Sequence, residues 1–287
     1  MKKKILGGNT ETDAQPPSQH SSKASSSTSS KVPSSEKYWE KVEKNRKLFI
    51  IFLMDTFEEK CKWVETNQTV NKRDGAVHDA ARLTKSMTRL GFEVRIYRNQ
   101  PKQNVGDLLE KLGKLDMTHI DVFGMAISSH GSSNNIIYLS DAPTDLNFFV
   151  DPIKSNKTLA QKPKLFFVNA CRGGKFGKTV ELVAQSTVQP RMWPYDADCL
   201  IHFSSIEKTF SLRNTKTGSY FIVALCDVLD SLKAGENRDI HEILATVNRK
   251  VASLDPVCMS EENPNVLQIP VIQSTLTNFV VLSPENY

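Results

Sequence analysis

Two kinds of apolar patterning alternate along this chain. An unbroken apolar run of strand length stands at 48–54 (Leu-Phe-Ile-Ile-Phe-Leu-Met), and stretches built around apolar runs stand at 119–129, 164–170 and 199–205. Between and after them come stretches with helical spacing: 75–90, where Ala80, Leu83, Met87 and Leu90 share one face, then 105–115, 218–233 and 239–253. Residues 92–97 alternate apolar with polar, 271–282 reads as a closing strand, and 35–47 reads as a helix leading in. Continuous apolar runs are the mark of strands covered on both faces, and strand–helix alternation makes the crossovers that parallel pairing needs. The pattern predicts an α/β fold: a three-layer sandwich whose mostly parallel, six-stranded central sheet carries helices on both faces.

Ahead of this body the pattern fails. Residues 18–35 include ten serines and almost nothing able to bury, so the segment is expected to stay unstructured. The net charge of +5 also sits here: residues 1–47 hold ten Lys/Arg and five Asp/Glu, which leaves the rest neutral. A neutral body without a basic stripe gives no footprint for nucleic acid. The five cysteines are odd in number, widely spaced and without a Cys-x-x-Cys pair, which fits a reducing, cytoplasmic setting better than a disulfide framework or a zinc site. The start, Met1-Lys2-Lys3-Lys4-Ile5-Leu6, breaks at Gly7-Gly8 before any signal-peptide core forms, and no window has the length of a membrane span. The histidines show no ligand spacing, so neither metal nor organic cofactor is expected.

In a parallel sheet, working residues collect just beyond the carboxyl ends of the strands. One apolar run leads into Ser128-Ser129-His130-Gly131 and the next into Asn169-Ala170-Cys171-Arg172-Gly173. A thiol is only partly ionised at neutral pH, and a nearby imidazole can take its proton and later protonate a leaving amine. Gly131 leaves room for backbone N–H groups, its own and that of Cys171, to face a developing oxyanion. A buried cysteine and a turn histidine each have ordinary structural explanations; the pair at two strand ends is what points to chemistry.

Asn169-Ala170-Cys171-Arg172-Gly173 resembles the nucleophile signature of caspases, Gln-Ala-Cys-(Arg/Gln/Gly)-Gly, with its histidine upstream. The resemblance runs from about residue 45 to 284. It includes the first strand with Phe57 after it, Lys72-Arg73-Asp74-Gly75-Ala76-Val77-His78-Asp79, Ser129-His130-Gly131, Tyr195-Asp196-Ala197-Asp198, Ser211-Leu212-Arg213-Asn214, Gly218-Ser219-Tyr220-Phe221 and Gln268-Ile269-Pro270. It implies a caspase-like sandwich and a cysteine endopeptidase cutting protein substrates after aspartate, with a role in cell death or immune signalling. Cys171 then matches the nucleophile, His130 the general acid/base and Gly131 the oxyanion backbone. Arg73 and Arg213 match the clamp on the substrate's aspartate, with Asn169, Ser211, Leu212 and Tyr220 around the substrate. Arginine suits that task because its guanidinium is always charged and binds carboxylate bidentately. The resemblance also divides the chain into a prodomain (1–44), expected from its serine-rich, basic composition to be disordered throughout, a large-subunit region (45–174), a linker (175–194) and a small-subunit region (195–287). It further implies pairing, with itself or another caspase, through 271–282, where Val271, Ile272, Leu276, Phe279, Val280, Val281 and Leu282 supply apolar surface.

Several positions depart from the family pattern. Asn169 replaces glutamine and is one methylene shorter; Leu212 and Tyr220 replace tryptophans; Ser132-Ser133 follows where an acidic pair is customary. Residues 172–195 contain no aspartate, so self-cutting of the linker is not expected, whereas Thr10-Glu11-Thr12-Asp13-Ala14 offers Asp13 as a processing point. These departures keep two other readings open. One is a weakly active or silent caspase-like regulator that pairs with an active relative; the other is a related peptidase cutting after basic residues or asparagine. The paired arginines oppose the second.

Overall fold

The computed structural model describes residues 10–12, 46–172, 194–207, 209–255 and 266–284. In chain order the strands and helices are β1 (Thr10–Thr12), β2 (Lys47–Leu53), α1 (Ala76–Arg89), β3 (Glu93–Arg98), α2 (Lys102–Lys114) and β4 (Val122–Ser128). There follow β5 (Gly131–Ser132), β6 (Ile136–Tyr138), β7 (Pro143–Asp145), α3 (Asn147–Lys154), β8 (Lys164–Asn169) and β9 (Cys199–Phe203). The remainder is β10 (Leu212–Asn214), β11 (Gly218–Ser219), α4 (Tyr220–Asp230), β12 (Arg238–Asp239), α5 (Ile240–Ala252), β13 (Val271–Ser274) and β14 (Val281–Leu282).

The central sheet has six strands in the order β13-β9-β8-β4-β2-β3. All its pairings are parallel except β13 on β9. Alternation along β2 divides the core: Phe49, Ile51 and Leu53 join the layer under α1, α4 and α5, while Leu48, Ile50 and Phe52 join the layer under α2 and α3. Each such side chain, fully buried, contributes about 1.5–3 kcal/mol, so an unbroken apolar strand is stable only between two layers. The expected three-layer α/β sandwich is the fold observed.

Four local features differ from the sequence pattern. The helix expected from 218 begins at Tyr220, because Gly218–Ser219 pairs with β10 and Gly218 has a left-handed φ of 97°. The closing strand is divided: Val271–Ser274 edges the central sheet, whereas Val281–Leu282 pairs with Arg238–Asp239 in a separate two-stranded sheet. The division follows from Asp198, which accepts hydrogen bonds from the Thr277 N–H (3.2 Å) and hydroxyl (2.6 Å) and turns the chain off the sheet edge. Helix α3 carries an internal Pro152, which hides it from a periodicity reading. Finally, β1 gives three residues of the tail expected to be unstructured a strand partner, β10. The serine-rich run, most of the expected lead-in helix and the aspartate-free linker up to 193 lie outside the described residues; Lys47, the last residue of that helix, opens β2.

Candidate active site

β4 and β8 are neighbours, and their register pairs Ser128 with Asn169. His130 and Cys171 therefore stand two residues beyond the same rung. The pairing continues past the strands, with the Ser129 N–H donating to the Asn169 carbonyl at 3.1 Å. Gly131 then passes so close to Cys171 that a Cβ there would lie 2.2 Å from the Cys171 carbonyl oxygen and 2.9 Å from the Ala170 Cβ. Only glycine permits that approach. The two strand ends read from the sequence thus meet at one point on the sheet's rim.

The Cys171 side chain is buried, and its sulfur accepts the Ser211 N–H at 3.1 Å. The Sγ also lies 3.7 Å from the Ser211 carbonyl, so both polar groups of Ser211 border it. The N–H is placed to hold the sulfur as acceptor and the carbonyl to hold it as donor. The other described cysteines are raised in pKa. Burial, with the charges of Asp141 and Glu58 adding, pushes Cys61 up to about 11; burial pushes Cys199 up to about 11 and Cys226 up to about 12.

The His130 ring is held between Phe57 (5.3 Å between centroids) and Trp63 (5.0 Å, edge-on). Its Nε2 lies 2.8 Å from the Asn71 carbonyl oxygen. A carbonyl only accepts, so Nε2 carries the hydrogen and Nδ1 of the neutral ring is the nitrogen able to take a proton. No side-chain pattern in the sequence marks Asn71 for this, because its backbone does the work.

Arg73 and Arg213 come from distant parts of the chain and are both buried. Arg73 donates to the Met54 carbonyl (2.8 Å) and to Ser128 Oγ (3.3 Å). Arg213 donates to the carbonyl of Asp74, the residue after Arg73. The loop carrying Arg73 is braced by the neighbouring Asp55, whose carboxylate takes both Nε (2.9 Å) and Nη2 (2.6 Å) of Arg98. Burial pushes the Asp55 carboxyl up, but hydrogen bonds from Arg98 and Asn99 and the charges of Arg98 and Arg73 outweigh it, leaving its pKa below the ordinary 3.8.

Beneath the arginines lies a buried polar network that pattern reading did not single out. Asp79, in the first turn of α1, accepts the Ser219 N–H (2.7 Å) and hydroxyl (2.6 Å). Gly218 makes this possible, since a Cβ there would lie 2.4 Å from Asp79 Oδ1. Asn169 completes the network: its amide nitrogen reaches Ser219 Oγ (2.8 Å), Ser128 Oγ (3.0 Å) and Asp79 Oδ2 (3.4 Å), and its oxygen accepts from Ser211 Oγ (3.2 Å). The amide expected to reach for substrate is thus turned towards protein groups, joining Arg73 through Ser128 and the edge of Cys171 through Ser211.

The remaining expected residues flank this centre. Leu212 is buried in β10, its N–H held at 2.8 Å by Gln268 Oε1, while Tyr220 opens α4 and is half-buried. Arg172 has a packing role: its guanidinium lies 3.9 Å over the Phe203 ring and its Nε donates to Asn135 Oδ1 at 3.0 Å. Asp13 lies outside the described residues. Among the described residues no helix is long and apolar enough to cross a membrane.

A histidine and a thiol are carried at adjacent strand ends of an α/β sandwich that also holds two buried arginines, the residue types a cysteine peptidase uses. The family model for the caspase domain matches residues 50–281. A caspase-1 of Spodoptera frugiperda is 30% identical over 98% of this chain and 93% of its own length. A caspase-3 of Felis catus is 33% identical over 71% of this chain and 75% of its own. The crystal structure of the Spodoptera frugiperda caspase-1 superposes with a TM-score of 0.70, covering 84% of this chain and 93% of that one. The chain belongs to the caspase family, a family of cysteine peptidases.

Proposed function

We propose that this chain is an endopeptidase that hydrolyses peptide bonds after aspartate. The observation that carries the reading is the convergence of Arg73 and Arg213, joined through the Asp74 carbonyl, beside the contact between Gly131 and Cys171. Two permanently charged forks in a buried site favour a carboxylate side chain over a basic or neutral one. In the reaction, the Cys171 sulfur attacks the scissile carbonyl carbon while His130 takes the thiol proton at Nδ1. The oxyanion is received by the N–H groups of Gly131 and Cys171. His130 returns the proton to the leaving amine, the C–N bond breaks, and water hydrolyses the thioester.

The same reading divides the chain at 44/45, 174/175 and 194/195 into prodomain, large region, linker and small region. It places the protein in the cytoplasm, in cell-death or immune signalling. It assigns β13 as the pairing edge: β13 is the last strand on its side of the central sheet, and Phe279 nearby is 87% exposed. Asn169, Leu212 and the aspartate-free linker favour a second reading, a regulator of low activity that works by pairing with an active relative. One experiment separates them: turnover of fluorogenic tetrapeptides ending in Asp, Glu, Asn or Arg by wild type and Cys171→Ala, with and without a kosmotropic salt. Turnover confined to Asp and lost in Cys171→Ala is the expected result; silence throughout shifts the weight to the regulator.

A further inference from the structure

We propose that Trp63 is a positioning residue for the general base: its indole, carried on a hairpin over residues 61–70, holds the His130 ring against the Asn71 carbonyl. The proposal rests on the endopeptidase reading. It assigns the aiming of His130 to a stretch of chain that contributes no reacting atom.

The hairpin is defined by its backbone. The Trp63 N–H donates to the Gln68 carbonyl (2.8 Å), the Asn67 N–H to the Trp63 carbonyl (2.8 Å) and the Val70 N–H to the Cys61 carbonyl (3.1 Å). Lys62 and Thr69 face each other as an antiparallel bridge, and Asn67 turns the chain with a left-handed φ of 59°, a region asparagine tolerates. So short a hairpin is marginal by itself and needs an anchor. The anchor is a small apolar cluster of Cys61, Trp63, Val70 and Tyr138, with Phe57 and Ile136 packed against it. The Tyr138 hydroxyl accepts the Val64 N–H at 3.0 Å, and its ring meets the indole edge-on at 4.8 Å between centroids. Tyr138 also donates its N–H to the His130 carbonyl at 3.1 Å, so one residue of β6 is tied to both the hairpin and the base.

Besides Tyr138, the buried indole meets the imidazole of His130, with centroids 5.0 Å apart and planes at 60°; Phe57 meets the same ring at 5.3 Å and 34°. The chain leaves the hairpin at Asn71, whose carbonyl oxygen lies 2.8 Å from His130 Nε2. One short stretch therefore supplies an aromatic wall for the ring and the acceptor that fixes its tautomer. Histidine's outer torsion is broad, so a carbonyl at one corner leaves the ring able to pivot until a wall stops it. A misplacement of about 1 Å at a reacting group can cost about 100-fold in rate. Aromatic rings within about 6 Å also attract a cation, and His130 becomes one when it takes the thiol proton. Leucine at position 63 would bury apolar surface without a π face, and that difference separates positioning from filling.

The test uses the full chain and compares Trp63→Leu with Trp63→Phe. Cys61→Ala serves as control, since it thins the same cluster at a residue that carries no ring. On fluorogenic Asp tetrapeptides, Trp63→Leu is expected to lower kcat by about 10- to 100-fold with KM within about twofold, and Trp63→Phe to recover most of it. Thermal unfolding run alongside gives the loss of stability in each. A loss carried wholly by KM overturns the proposal, as do equal losses of kcat in Trp63→Leu and Cys61→Ala. A spectroscopic measurement keeps it falsifiable if no peptide is turned over, the outcome that sinks the endopeptidase reading itself. In isotope-labelled Cys171→Ala, the Nε2–H that His130 donates to Asn71 is expected to exchange slowly enough with water to give its own NMR signal at neutral pH. Adding Trp63→Phe or Cys61→Ala should keep that signal, and adding Trp63→Leu should remove it. An unchanged signal with Trp63→Leu, or none in Cys171→Ala itself, overturns the positioning role.

Discussion

The α-carbon of Gly131 and the carbonyl of Cys171 lie so close that a single methyl group on the former would stand 2.2 Å from the oxygen of the latter. This contact closes the gap between the ends of β4 and β8, where the proposed mechanism puts the oxyanion. Gly131→Ala is expected to push the two apart, destabilising the fold by about 1–3 kcal/mol. It is expected to lower kcat/KM for Asp peptides by about 100-fold. Thermal unfolding run beside the kinetics separates the two effects; unchanged kcat/KM in a folded variant would remove Gly131 from the oxyanion assignment.

Arg213 reaches the Asp74 carbonyl next to Arg73, and the proposed function has its planar fork receive the substrate's carboxylate. Arg213→Lys keeps the charge and loses the fork. Loss of a charged hydrogen bond of about 1.5–3 kcal/mol predicts a fall in kcat/KM of about 10- to 150-fold. Peptides ending in Asp and in Asn should become more alike as substrates, and a retained Asp preference would contradict the clamp.

Asn169 is fully buried with both ends of its amide engaged. Asn169→Gln restores the residue usual in the family but adds a methylene to a closed network, an overpacking worth about 1–3 kcal/mol of stability. Its effect on substrate is expected through displacement of Ser128 and Ser211, so kcat/KM for Asp peptides should change. Wild-type kinetics and a wild-type urea midpoint together would show that position 169 is indifferent.

Cys61, Cys199 and Cys226, raised to about 11, 11 and 12, remain protonated at neutral pH. Substoichiometric iodoacetamide at pH 7 is therefore expected to alkylate Cys171 ahead of these three, as read by peptide mapping. Faster labelling of any of them would mean that Cys171 lacks an activated thiolate.

His202 supplies a pH dependence of stability. Burial, against a single hydrogen bond with Asn248 Oδ1 at 2.8 Å, lowers its pKa from 6.5 to about 4. Between those values the unfolded chain binds a proton that the folded one refuses, so stability falls as pH drops from 6.5 towards 4. The full loss is about 3 kcal/mol. Urea unfolding at pH 7 and pH 4.5 should show a drop larger by about 2–3 kcal/mol in wild type than in His202→Gln. Equal drops would place the acid sensitivity elsewhere.

The sequence by itself determined the layers and the two strand ends. Largely apolar stretches at 48–54, 119–129 and 164–170 can bury both faces only inside a sandwich, and the last two lead directly into His130 and Cys171, so both could be set on the rim from local pattern. Tertiary structure decided what surrounds them. Asp79 looks like an ordinary helix residue until Ser219, 140 positions away, donates two hydrogen bonds to it. The Asn71 carbonyl, the split at Asp198 and the strand at Thr10–Thr12 are equally silent in the pattern. Periodicity records which face of an element is buried, because neighbouring side chains are set by local backbone geometry. It carries no record of which distant backbone will present a carbonyl, a turn or an open edge, since every residue has the same main-chain groups and only the folded chain decides which of them meet.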